Sequence, residues 1–431
     1  MSTAALLALA ACVVAMVWRW QFGFAAAITG FLFLRVVGLS EMVGEGYARP
    51  QTPWIFLGAL VSFSLGYILF TNHVRGLTVP VSTRLKAMPA SSVWAVVLVA
   101  GLLGVYHLYA AGIPILAQNI ERQRFDFTAS GLFGIPGRMY LFGITMAWIA
   151  ASANAHALGI RWRSYRPWRW ATGFLVVTTI LSGFKGELSS LLLTVAAVFL
   201  IVTQRRVTVS RAIRRYWWIA AIPIAYFVMV ASLYPTYDNA DPWYVQIFDR
   251  LTVIPAEPIW VALEHRTVDF FQAPIVSDFA YFLHRYTGSQ IPGSFTFERA
   301  VSAEIIGVNP ASNAWTTPVT VSSFAELYVS FGLVVALGAQ AACGATLAYG
   351  ESAPQRSTLG LIGRAVVASA MFSWVVKGGF AYHVLNYGFV ALALLTVGLI
   401  GAKVAGKRTW SPPNRAPAPP RLRRSPRTPL A

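Results

Sequence analysis

Charge is scarce in this sequence. Of 431 residues only 12% are Asp, Glu, Lys or Arg, and acids are the rarer sign, 16 against 34 bases. With 56% hydrophobic residues and a mean hydropathy of +0.59, too little polar surface is present to cover a soluble globule, and that class is excluded. Cysteine is nearly absent: Cys12 and Cys343 lie far apart inside apolar runs, which rules out a disulfide framework and a thiolate metal site. There is no HExxH, no Cys/His cluster and no Asp-x-Asp pair, so no metal is expected. Walker and dinucleotide glycine patterns are also missing, which argues against ATP-driven work and against a bound cofactor. The N-terminus shows neither the basic region nor the cleavage site of a signal peptide, and its first apolar run reads as a span.

What is abundant is apolar runs long enough to cross a ~30 Å hydrocarbon core, bounded by Trp, Tyr, Arg or Pro. They predict an all-α, polytopic membrane protein of about eleven spans over residues 1–402, followed by a disordered, basic, Pro- and Arg-rich tail over 403–431. The net charge of +18 is absorbed by the positive-inside rule, because the arginines gather in short loops and in the tail, and no nucleic acid is needed as partner. The loop Arg161–Trp170, with arginines threaded among aromatics, reads as an inner-interface anchor for the same reason. On this map every Asp and Glu except Glu351 falls on the outer side. Acids do little to set topology, so their segregation places the polar chemistry outside and the C-terminus in the cytoplasm.

The long polar interval from Leu233 to Gly332 is expected to hold the large extracytoplasmic region, 233–322, with span nine running from about Ser322 to Tyr349. Basic residues mark the outer ends of spans: Arg35 in span two, Arg138 at the start of span five, Lys185 in the turn between spans six and seven, Arg250 early in the polar interval and Lys377 in span ten. Taken singly, each is accounted for by a long side chain that snorkels to the interface. Taken together they suit the diphosphate of a polyprenyl lipid, since Arg and Lys hold phosphate oxygens through charge-assisted bonds. Glu326, at the predicted start of span nine, is the first candidate base for a sugar hydroxyl; its ordinary reading is a cap or ion pair at the top of that helix. Glu257 and the His284–Arg285 pair follow, each equally readable as a loop polar group.

Short motifs carry a resemblance. Gly112-Ile113-Pro114 opening a segment with Glu121-Arg122-Gln123-Arg124, the turn Ser182-Gly183-Phe184-Lys185-Gly186, and Thr317-Pro318 to Glu326-Leu327-Tyr328-Val329-Ser330-Phe331-Gly332, set in this layout, resemble the oligosaccharide repeat-unit polymerases of the Wzy type, the O-antigen polymerase family. That resemblance implies a metal-independent glycosyltransferase with a GT-C-like bundle in the bacterial cytoplasmic membrane. It would transfer a glycan from undecaprenyl diphosphate to a sugar hydroxyl of another lipid-linked unit, alongside a chain-length regulator and a flippase. It implies Arg250, in Phe248-Asp249-Arg250-Leu251, as a diphosphate ligand with Lys185; Arg35, Arg138, Arg285 and Lys377 are expected beside them from their own charge and position, and Arg122 and Arg124 toward the glycan. Lys185 stands where family members often have Arg, which keeps the charge and loses the bidentate fork. The alternatives are a GT-C-type single-addition transferase, for which the first outer loop offers Glu41 and Glu45, an O-antigen ligase, and a lipid-linked sugar flippase.

Overall fold

The structure is a computed structural model, described over residues 3–19, 22–76, 85–118, 123, 134–183, 187–205, 207–232, 242–265, 274–287, 295–309, 319–353 and 357–404. Among these residues every regular element is helical. The first set is α1 (Thr3–Trp18), α2 (Phe24–Gly44), α3 (Thr52–Gly76), α4 (Ala90–Ala111), α5 (Ile144–Ala157), α6 (Arg166–Leu181), α7 (Glu187–Thr203), α8 (Val209–Tyr216) and α9 (Ala221–Ser232). A π turn, Met139–Gly143, leads into α5. The polar interval supplies α10 (Trp243–Leu251), α11 (Val253–Glu264), α12 (Pro274–Thr287) and α13 (Phe297–Ile306). The chain then continues through α14 (Ser323–Phe331), α15 (Leu333–Ser352), α16 (Thr358–Lys377) and α17 (Phe380–Val404).

Six of these, α2, α3, α4, α15, α16 and α17, are long and apolar enough to cross a membrane; α1 and α7 are apolar but shorter. Apolar side chains run right round α2, α15, α16 and α17 instead of forming one stripe, as suits helices that meet apolar surroundings on every side. Without a hydrophobic drive between helices in lipid, close approach depends on small residues. The tightest pair, α3 and α15, shows this: a Cβ on Gly66 would overlap the Ala341 carbonyl, and one on Gly344 would overlap the Phe63 carbonyl. Gly38 of α2 is pressed in the same way on the Thr252 carbonyl and the Ala256 methyl, which seats α11 against α2.

One region gains definition here and one expectation changes. The polar interval is largely helical where it is described, because its apolar positions recur at helical spacing and pack on the bundle. The predicted ninth span is two helices, α14 and α15, since Gly332 between them has φ 79, which a continuous helix cannot contain. The Arg161–Trp170 loop turns several of its aromatics inward: Trp162 meets Trp148 and Phe199 at ring distances of 6.0 and 5.2 Å, and Tyr165 is buried and accepts a hydrogen bond from Asn154. An aromatic surface for stacking bases is not what these residues form.

Candidate functional site

The site is built on the break between α16 and α17. Gly378 and Gly379 both lie in the left-handed region, φ 82 and 71, and both are crowded: a Cβ on Gly378 would come 3.2 Å from the Ser322 nitrogen, and one on Gly379 2.9 Å from a Glu298 carboxylate oxygen. Only glycine meets both demands at low cost. The backbone before α14 is tied to this break, with the Val321 N–H donating to the Lys377 carbonyl at 3.1 Å. The next residue, Ser322, is itself held at φ 74, an uncommon conformation for a residue with a Cβ.

Glu326 lies fully buried at this junction. Its oxygens accept from the Phe380 N–H at 2.9 and 3.1 Å and from the Trp374 indole at 3.2 Å, so it caps the first turn of α17. The ordinary role expected of it, a cap on its own helix, is thus exercised on a different one. Burial pushes its carboxyl up to about 7, against the pull of the Phe380, Trp374 and Gly379 donors. Two further acids, which the sequence did not single out, stand beside it. Asp278 of α12, 1% exposed, accepts from the Phe297 N–H at 2.8 Å, and burial, countered by that bond and assisted by the Glu326 charge, pushes it up to about 8. Glu298 of α13 is raised well above the usual carboxylate range by burial and then by Asp278 and Glu326, with the Lys377 ammonium pulling the other way.

Arg35 reaches the same break from α2. It is 4% exposed; its Nη2 donates to the Val376 carbonyl at 2.7 Å, while Nε and Nη1 find no partner among the described residues. Among those residues no carboxylate is in an ion pair with it. His383, on the first turn of α17, is buried with Nδ1 lacking a partner among the described residues and lies within electrostatic range of Lys377. Ser322 Oγ and Gln340 Oε1 are buried in the same neighbourhood without a partner among the described residues, Gln340 being bonded through its other end to Ser323 at 2.7 Å. Buried polar groups are nearly always satisfied, so several orphans around one junction mark a place for a polar guest.

Of the residues expected to form the site, Arg35, Lys377 and Glu326 come together here. Arg138 joins the adjoining turns of α17, its Nε donating to Asn386 at 2.9 Å and its guanidinium lying 5.3 Å from the Phe389 ring centre. Arg250 is half-buried at the end of α10, just before the Thr252 contact on Gly38, one turn along α2 from Arg35. Glu257 is half-buried on α11, its carboxyl raised by burial alone, and no bond joins it to the junction. His284 is half-buried on α12, about 120° round the helix from Asp278. Lys185, Arg122 and Arg124 lie outside the described residues, as do the Arg285 side chain and the tail from 405 onward.

Asp278 was within reach of the sequence, because it interrupts the apolar stripe Ile275, Phe279, Phe282 of an amphipathic helix. Glu298 was not, since an acid in the first turn of a helix is ordinary. No group of three or more His, Cys, Asp or Glu placed to hold a metal occurs among the described residues. A narrow crevice lies elsewhere, lined by Phe22, Gly23, Arg205 and Glu351, where both Glu351 oxygens are already engaged. No family model, curated protein or solved structure matches the chain.

Proposed function

We propose that this chain is a membrane glycosyltransferase that polymerises oligosaccharide repeat units carried on undecaprenyl diphosphate, acting at the outer face of a bacterial cytoplasmic membrane. The observation that carries the reading is Arg35: a guanidinium withdrawn from solvent, short of partners and without an acid to neutralise it among the described residues, bonded to the residue next to Lys377. Isolated buried charge is costly, by several kcal/mol even after relaxation, and persists where function requires it. An anion with several oxygens, such as a lipid diphosphate, supplies the missing acceptors. The adjacent carboxyls, held near neutrality, are matched to moving a proton from a sugar hydroxyl. Fixed positive charge then favours departure of the diphosphate, so neither metal nor nucleotide enters the scheme. A flippase would supply the units on that face, and a chain-length regulator would act on the product.

A second reading, a GT-C-type single-addition transferase, draws on Glu41 and Glu45; the fold brings Glu41 within electrostatic range of Asp249 as well as of Glu45. The two are separated with lipid-linked oligosaccharide extracted from a strain deleted for this chain, incubated with purified protein in detergent. A ladder of products is expected from wild type, and R35A and K377A should each lower its rate by at least about 100-fold, the scale of removing one preorganised charge partner. A single added sugar favours the second reading. Elongation by both variants at the wild-type rate sinks the diphosphate reading, and no elongation by wild type leaves a transport role.

A further inference from the structure

Three carboxyls meet the α16–α17 break, and their surroundings divide the work between them. Glu326 has no exposed surface and both oxygens are spent on the start of α17. Asp278 is equally enclosed, and its Oδ1 is spent on the Phe297 N–H, the first amide of α13. Together with the Thr296 side chain, which accepts from the Arg299 N–H at 3.4 Å, it fixes that helix start. Glu298 differs. It is half-buried, it accepts no hydrogen bond among the described residues, and one of its oxygens stands against Gly379, where any other residue would put a methyl group 2.9 Å away. Among the described residues, Lys377 supplies the positive charge that acts on it. Nδ1 of His383 and the Nε and Nη1 of Arg35, which have no partner among the described residues, border the same break, so a polar guest there has Glu298 within reach.

We propose that Glu298, rather than Glu326, is the catalytic base, taking the proton of the attacking sugar hydroxyl, and that Asp278 is a positioning residue which aims it. The inference rests on the glycosyltransferase reading above. In the step, the acceptor oxygen forms a bond to the anomeric carbon of the donor while the bond from that carbon to the diphosphate oxygen breaks. The diphosphate leaves with the electron pair, and the hydroxyl proton passes to a Glu298 oxygen. Lys377 favours the ionised form of Glu298 against the burial and the two acids that raise it; once the carboxyl is protonated, the ammonium is released to the departing diphosphate, which is gaining charge. The groups that face Glu298 and set its titration are Asp278 from α12, Glu326 from α14 and Lys377 from α16. Since the site is shielded from water and acids outnumber the lysine, the base ionises well above the usual carboxylate range, and the limb over which turnover rises with pH should lie above that range.

The test uses full-length protein in detergent, with the deletion-strain lipid extract as substrate and undecaprenyl diphosphate as binding probe, read by native mass spectrometry. E298Q should lower kcat by about 100-fold or more, the range for loss of a general base, with binding of undecaprenyl diphosphate within about threefold of wild type. E298D should restore part of kcat with a displaced pH profile, and D278N should lower kcat while leaving E298Q no worse when the two are combined. Turnover by E298Q within about tenfold of wild type on the same pH profile overturns the assignment and leaves the glycosyltransferase reading intact. Equal loss of binding and turnover in E298Q also overturns it, as a structural role would. If wild type neither binds undecaprenyl diphosphate nor elongates the extract, the reading itself fails and this assignment falls with it.

Discussion

Among the described residues, two carboxylates accept a backbone N–H at the start of a membrane-length helix. Glu351, at the end of α15, accepts the Ala25 N–H at the start of α2 at 3.2 Å and the Tyr67 hydroxyl at 2.8 Å. Glu326 accepts the Phe380 N–H at the start of α17 and the Trp374 indole. The capping chemistry is the same, a carboxylate on unpaired amides and the positive end of the helix dipole, and each cap sits beside a glycine, Gly23 in one case and Gly379 in the other. What differs is the surplus. Around Glu351 the described surplus is Ser352 Oγ and the buried Arg364, whose Nε and Nη1 have no partner among the described residues, with no second acid beside the cap; around Glu326 stand two further acids, Asp278 and Glu298, with Lys377 and with Arg35 and His383, both of which are buried with nitrogens lacking a partner among the described residues. Capping explains one carboxylate at each end; the remainder at the α16–α17 break is what calls for a ligand.

The largest expected effect separates the ends by activity. Gly379→Ala forces a left-handed residue to carry a Cβ, at about 1–2 kcal/mol, and drives that Cβ into Glu298; ladder formation should fall by at least about 100-fold. Glu351→Gln, at the other end, should keep ladder formation within a few-fold, and equal losses in both variants erase the distinction. Next comes stability. Glu326→Gln weakens charge-assisted bonds in a fully buried place and should cost about 1.5–3 kcal/mol, seen as a lowered unfolding temperature in detergent, while the half-buried Glu351→Gln should cost less. The reverse order would mean that the α16–α17 break is the better solvated of the two.

A third difference is in pH. Asp278, raised to about 8, binds its proton more tightly in the folded protein than in the unfolded chain. Its contribution to stability is therefore fully present below the unfolded carboxyl range, near pH 4, and is lost as pH rises through about 8. Melting temperature in detergent should decline by a few degrees between about pH 5 and pH 8.5, and Asp278→Asn should flatten that decline; an unchanged slope in the variant removes Asp278 as its source. The smallest effect concerns Arg138, whose guanidinium has both the Asn386 amide and the Phe389 ring. Arg138→Lys should keep charge and lower turnover only several-fold, against a larger loss for Arg138→Ala.

Periodicity and composition alone made the helical, membrane-length character of α2, α3, α4, α15, α16 and α17 legible, because the apolar runs are long and their ends are marked. The break at Gly332 was not, since a glycine within an apolar run is as often tolerated in a helix as it is a stop. In the site, Arg35, Lys377 and Glu326 could be picked out because charge is rare in such a chain, but their meeting depends on α2 and α14 packing onto the end of α16, contacts distant in sequence. Asp278 was legible only as a break in an apolar stripe, and Glu298 stayed hidden in a stretch where acids are common. What separates them from Glu304 is their neighbours, which no residue type reveals: Glu304 pairs with His265 at 2.9 Å, whereas Asp278 is buried on the Phe297 N–H and Glu298 stands against Gly379.

The claim beneath these comparisons is that Arg35 is kept buried and uncompensated in order to receive an anion. Its most direct measurement is the unfolding temperature of wild type and Arg35→Met with and without undecaprenyl diphosphate. Without lipid the variant should melt at a higher temperature than wild type, because an isolated buried cation has been removed, and added lipid should raise wild type alone. A variant that melts lower without lipid and is raised by lipid as much as wild type would show that Arg35 holds the fold together and receives nothing.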